Sequence, residues 1–261
     1  CCKKGGNDAF ASTVKMNRGV LNMIYGRFEE AIEYLQEALD YYAKHPELPR
    51  HDDHMICVYE NMAKAYICKG DLIEAKCCFE NIHNEHGEYL EDEVLLTVLA
   101  TEAMYYHLAG KDEKCEKIIA QIHRDLTPNM PIMDMFDDFY DYCKILLDRD
   151  CQNEFWKLID IMEPMVKSLD ITNLILKILS LKIKFYRKHQ MNAEYLQASA
   201  LYFEYSERAA VENTKMMNNV LNLRRALEEV NLEKIEIEEK NVILREKSET
   251  DALTGLSNRF R

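Results

Sequence analysis

At 261 residues the chain has room for two domains or for one repeat array. Its 46 acidic side chains outnumber 33 basic ones, and the net charge of −13 repels phosphate backbones, which excludes nucleic acid as a partner. Only 8 glycines and 5 prolines interrupt it, so an all-α chain is expected. No apolar run reaches the ~18 residues of a membrane span. The nearest, residues 174–186, is broken by Lys177, Lys182 and Lys184. The nine cysteines are odd in number and form no CxxC pair, as suits small buried hydrophobes in a reducing compartment. The sequence opens on Cys1 without Met, which leaves room for an upstream segment.

In chain order, residues 12–45 read as a pair of antiparallel helices. Gly19, Gly26, Ala31, Leu35 and Ala38 supply small and apolar positions that let two helices approach, with Phe28 and Tyr42 extending one stripe. Residues 56–89 repeat the pattern through Ala63, Tyr66, Gly70, Ala75, Phe79 and Ile82. Asp71 there puts a negative charge at the start of a helix, where the dipole favours it. Residues 96–129 give a weaker copy through Ala103, Tyr106, Gly110, Cys115, Ile119 and Ile122. These positions resemble the tetratricopeptide repeat, although Asn22 stands where an aromatic is usual and the glycine spacings exceed the ~34-residue period. The resemblance implies an α-solenoid of about five helix pairs.

Proline-punctuated connections at residues 45–50 and 127–131 separate the pairs. A fourth pair spans 132–148 and 151–168, around Phe136, Tyr140, Leu147, Phe155, Trp156 and Ile159, with Pro164 expected to kink or end its second helix early. Trp156 and the tyrosines read as core rather than a ligand box. Asp170 is expected to cap the next helix, which carries Leu174, Ile178, Leu181 and Phe185 inward. From about Asn192 one helix is expected to run to about Lys247, its opening turns closing the array. Beyond them a heptad seam runs through Met216, Val220, Leu223, Leu227, Val230, Lys234, Ile237, Asn241 and Leu244. It predicts a two-stranded parallel coiled coil, hence a homodimer, with Lys234 and Asn241 fixing register. Leu221, Leu232, Ile235 and Val242 make a second, poorer stripe. The division is then 1–191 helical repeats, 192–250 long helix and 251–261 the start of another domain.

That last segment holds Asp251, Leu253, Thr254, Gly255, Leu256, Asn258 and Arg259. It resembles the D-x-L-T-G-L-x-N-R string that opens the GGDEF family of diguanylate cyclases, which also follows a coiled-coil segment. The resemblance covers about eleven residues. It implies a parent enzyme that condenses two GTP into cyclic di-GMP with a divalent metal such as Mg, regulated by dimerisation. Asn258 would contact the guanine, while Asp251 and Arg259 would brace the turn. The GGDEF or GGEEF loop and the metal-binding aspartates would fall beyond Arg261, so no catalytic residue, metal ligand or cofactor is expected within this chain and it should be inactive by itself. GTP chemistry also implies a cytoplasmic location. The alternative is a stand-alone repeat scaffold or peptide-binding regulator.

Elsewhere chemistry is sparse. His51 and His54, and His83 and His86, form HxxH pairs, but two imidazoles fall short of a four-ligand zinc site and both pairs lie near helix ends, so neither is taken as a metal site. Repeat arrays bind along the face made by the first helix of each pair. Here that face is expected to hold Met16, Asn17, Val20, Met23, Glu60, Asn61, Lys64, Ile67, Ala100, Met104 and His107. Apart from Lys64 and its neighbours this reads as apolar, suited to an apolar peptide, a partner helix or a second subunit.

Overall fold

The computed structural model describes residues 2–127, 130, 131 and 133–249, and every regular element in them is helical. In order these are α1 (Cys2–Ile24), α2 (Phe28–Ala43), α3 (His51–Lys69), α4 (Leu72–Glu85), a 3-10 turn (Gly87–Tyr89), α5 (Asp92–Leu108), α6 (Asp112–Asp125), α7 (Phe136–Asp148), α8 (Gln152–Leu169), α9 (Thr172–Lys188) and α10 (Asn192–Glu249). The chain divides into two compact units, Cys1–Ser199 and Ala200–Arg261.

In the first unit each odd-numbered helix through α7 packs on the even one that follows it. The odd helices also pack on one another in sequence, α1 on α3, α3 on α5, α5 on α7 and α7 on α9. This is the two-layer arrangement of an α-solenoid, with the odd helices as the inner layer. One local device repeats with it. Gly26, Gly70, Gly110, Asp150 and Gln190 all adopt left-handed backbone, with φ of 70°, 88°, 65°, 61° and 56°. The amide after each donates five residues back, from Arg27 to Asn22, Asp71 to Tyr66, Lys111 to Tyr106, Cys151 to Leu146 and Met191 to Tyr186, at 2.8–2.9 Å. These are Schellman closures of the odd helices. They recur every 40 residues after a first step of 44, so the array holds five odd helices, and α10 opens directly after the fifth closure.

Gly19 acts as the sequence suggests, whereas Gly26 is corrected: it serves the turn, and a Cβ there would meet nothing within 4 Å. A Cβ on Gly19 would sit 2.7 Å from Cγ of the fully buried Leu35, so only glycine lets α1 lie this close to α2. Ala31, Ala75 and Cys115 are wholly buried at equivalent points of α2, α4 and α6. In α8 the equivalent residue is Phe155, also fully buried, stacked 5.1 Å from Phe185 with Trp156 edge-on beside them. That swap of small for large erases the repeat signature while keeping the geometry. The side chain of Asp71 accepts a hydrogen bond from the Glu74 amide at 3.2 Å, a side-chain cap added to the favourable charge.

Two expectations are corrected. Pro164 does not end α8, which runs on to Leu169, its last turns anchored by buried Val166. Asp170 closes α8 in left-handed backbone (φ 50°), a conformation aspartate tolerates, and the N-cap of α9 is Ile171.

The second unit is the greater part of α10. Met216, Val220, Leu223, Leu227, Val230, Ile237 and Leu244 are each 55–63% exposed, and Asn241 is exposed too. Pairs such as Arg224–Glu228 and Lys240–Glu236 lie four residues apart along the same helix. Asp251, Asn258 and Arg259 lie outside the described residues.

Candidate functional site

The inner layer of the array forms a groove of about 780 Å³, to which α1, α3, α5, α7 and α9 all contribute. Val20, Met23 and Ile24 supply one apolar wall, and α3 supplies Glu60, Asn61 and Lys64 at i, i+1 and i+4. Opposite them α7 brings Asp138, Asp141 and Lys144, with Lys177 arriving from α9.

Lys64 dominates the electrostatics. Its ammonium is 2.8 Å from Oδ1 of Asp138 and 2.9 Å from Oδ2 of Asp141, and only 13% of the side chain is exposed. Burial works against its charge, but Asp138 and Asp141 more than offset this, so its pKa stays raised and it remains an ammonium. Burial likewise opposes ionisation of Asp141, yet Lys64 and Lys144 hold its carboxyl below the usual range. Lys144 lies 2.7 Å from Oδ1 of Asp141 and over the ring of Tyr140, 4.3 Å from its centroid. Lys177 reaches Asp137 at 2.5 Å and the same ring at 5.3 Å, so one tyrosine ring serves two cations.

Glu60 behaves differently. It is buried, and Oε1 accepts from the Thr101 hydroxyl at 2.5 Å. Burial, reinforced by Asp138, pushes its carboxyl up to about 8 despite Lys64 four residues on. At neutral pH it is therefore largely a neutral acid on the groove floor. Cys57, beside it, is pushed up to about 12 by burial and stays a thiol.

Of the residues expected on this face, Val20, Met23, Glu60, Asn61 and Lys64 line the groove. Asn17 is exposed elsewhere on α1, and Met16 and Met104 pack against the core. Ala100 is buried. Ile67 is a correction: it is 4% exposed, inside the core shared by α2, α3, α4 and α5. An inner helix of an array packs on both flanks and leaves only a narrow strip free. His107 points toward the end of α7, 3.9 Å from Asp148. The expected apolar character is corrected too, because Asp137, Asp138, Asp141, Lys144 and Lys177 enter the groove from repeats whose register the sequence did not mark. The i, i+1, i+4, i+7 spacing of Asp137, Asp138, Asp141 and Lys144, one face of a helix, was the available signal. The HxxH histidines diverge: His54 stacks on Tyr42 at 4.8 Å, His83 meets Glu102 at 2.7 Å and His86 meets Asp52 at 2.8 Å. Among the described residues no group of three or more His, Cys, Asp or Glu side chains is placed to hold a metal ion.

No protein-family model and no curated protein matches the chain. Among solved structures it is similar to a crystal structure of nearly identical TPR-like repeats from a Podosopora anserina protein named as a kinesin light chain. The two share 15% identity at a TM-score of 0.44, over 77% of this chain and 96% of that one. At that level the likeness adds nothing to the packing described above, on which the solenoid assignment rests.

Proposed function

We propose that this chain is the sensor and relay arm of a diguanylate cyclase, with repeats over 1–191, a signalling helix over 192–250 and the first turn of the catalytic domain over 251–261. The observation that carries the reading is the D-x-L-T-G-L-x-N-R string at residues 251–259, directly after a helix of 58 residues. In the resembled family each catalytic domain holds one GTP, so product forms only when two domains face each other. A parallel coiled coil along the exposed seam from Met216 to Leu244 supplies a way to set that facing. An effector on the repeats then acts by preferring one arrangement of the helix, and shifting the population substantially takes a few kcal/mol of differential binding. Asn258 contacts guanine, Asp251 and Arg259 brace the turn, and Mg and GTP belong to the catalytic domain. The described residues contain no helix long and apolar enough to cross a membrane, which accords with a cytoplasmic enzyme.

The test is to read the coding sequence past Arg261 and to assay the extended protein for conversion of GTP to cyclic di-GMP. A GGDEF or GGEEF loop with turnover is expected. An unrelated continuation, or turnover by residues 1–261 alone, overturns the assignment. The second reading, a scaffold or peptide-binding regulator, draws on the groove: an inner-layer surface of this kind is where helical repeats take extended segments. Pull-down by the repeat unit of a partner that never meets a cyclase would favour it.

A further inference from the structure

Repeats of a solenoid touch their immediate neighbours, and its energetics approach a nearest-neighbour sum. The ion pairs between repeats follow that rule: Lys69–Glu29, His83–Glu102, Arg149–Asp112, Lys182–Glu163 and Lys177–Asp137 each join adjacent pairs of helices. Among the described residues the contact of Lys64 departs from it. Lys64 belongs to the second pair, and it reaches past the third to Asp138 and Asp141 of the fourth, 74 residues on in the case of Asp138. The bridge spans the groove, so it crosses the path that a segment lying along the inner layer would follow.

The contact is also arranged so that its cation can be exchanged. One oxygen from each aspartate converges on a single ammonium, at 2.8 and 2.9 Å. A planar guanidinium, with five donors in a fixed fork, suits two carboxylates better than a point charge does. Asp141 keeps Lys144 on its other oxygen whether or not Lys64 is present. On the opposite side, α3 stays tied to α5 through the Glu60–Thr101 hydrogen bond. Both banks of the groove therefore have anchors of their own.

We propose that Lys64, Asp138 and Asp141 form an autoinhibitory latch across the inner groove, which a partner segment bearing a guanidinium opens by taking the place of Lys64 on the two aspartates. The latch concerns the repeat unit alone and does not rest on the cyclase reading.

The probes are acetyl-Gly-Arg-Gly-amide and its citrulline counterpart, which is neutral and nearly isosteric. They are titrated into the 261-residue chain while the distance between spin labels on non-canonical residues at exposed Ile73 and Asn153 is followed. The arginine peptide is expected to bind and to lengthen that distance by at least about 3 Å, one layer of water, and the citrulline peptide to do neither. Lys64→Met removes the internal competitor, so affinity should rise by about tenfold if the latch is closed in nine molecules of ten. Asp138→Asn with Asp141→Asn should abolish binding. Equal or weaker binding by Lys64→Met, or equal binding of the two peptides, overturns the proposal. Should Lys64→Met not fold, the neutral triple variant Lys64→Met, Asp138→Asn, Asp141→Asn takes its place. It should show the lengthened distance without peptide, and a wild-type distance or failure of this variant to fold overturns the latch as well.

Discussion

Replacing Glu60 by glutamine should stabilise the array, and more so as pH rises. In the folded chain burial, with Asp138 close by, raises this carboxyl from 4.5 to about 8. Between those values the unfolded chain has lost the proton while the folded chain retains it, so the folded state binds more protons and stability falls as pH rises. The loss is absent below 4.5 and complete above about 8. At 1.36 kcal/mol per pH unit the wild type forfeits under about 1 kcal/mol at pH 5, roughly 3 at pH 7 and at most about 5 at pH 9, with water entry lowering the last two. Glutamine keeps the acceptor for Thr101 and cannot ionise. Urea unfolding of both proteins at pH 5, 7 and 9 should then give curves that nearly coincide at pH 5 and separate steadily above it. The midpoint should move without a change in slope. A glutamine variant no more stable than wild type at pH 9, or a separation independent of pH, would refute the argument, since either result means that Glu60 ionises in the folded chain at little cost.

Four further outcomes are expected. Gln190→Gly should raise stability by roughly 0.5–1 kcal/mol, because a non-glycine residue in left-handed backbone costs about 1–2 kcal/mol and the entropy of glycine returns part of that. Gln190 is exposed with φ 56°, so little else is lost, and thermal unfolding reads the gain. Gly19→Ala should cost roughly 1–3 kcal/mol through overpacking against Leu35. Gly87→Ala, with open space around it, should stay within about 0.5 kcal/mol in the same melting experiment. Leu223→Glu combined with Leu227→Glu should turn a sedimenting dimer into a monomer while the repeats keep their circular dichroism. A wild-type chain that is monomeric at tens of micromolar, a range chosen as about that in which a weak coil still pairs, sinks the coiled coil, and a double variant that stays dimeric moves the interface to the repeats.

Local rules made much of this molecule legible before its packing was known. Helix pairs followed from apolar stripes of period 3.6 and from small residues such as Ala31 and Ala75, which are buried where the helices meet. The negative charge of Asp71 at the start of α4 followed from its place after Gly70, and the unbroken run of α10 from the lack of glycine and proline inside it. Each of these depends on residues within a turn or two of one another, and sequence order preserves that information. Asp150 and Gln190 occupy the turn that glycine makes at Gly26, Gly70 and Gly110, and Phe155 fills a small-residue site, so the fourth and fifth repeats carried no marker of their register. Whether Ile67 faces the groove or the core depends on neighbours packed against both flanks of α3. The meeting of Lys64 with Asp138 and Asp141 depends on still more. It is the sum of small rotations from one pair of helices to the next that brings the second and fourth pairs within 3 Å, and that sum exists only once the whole inner layer has assembled.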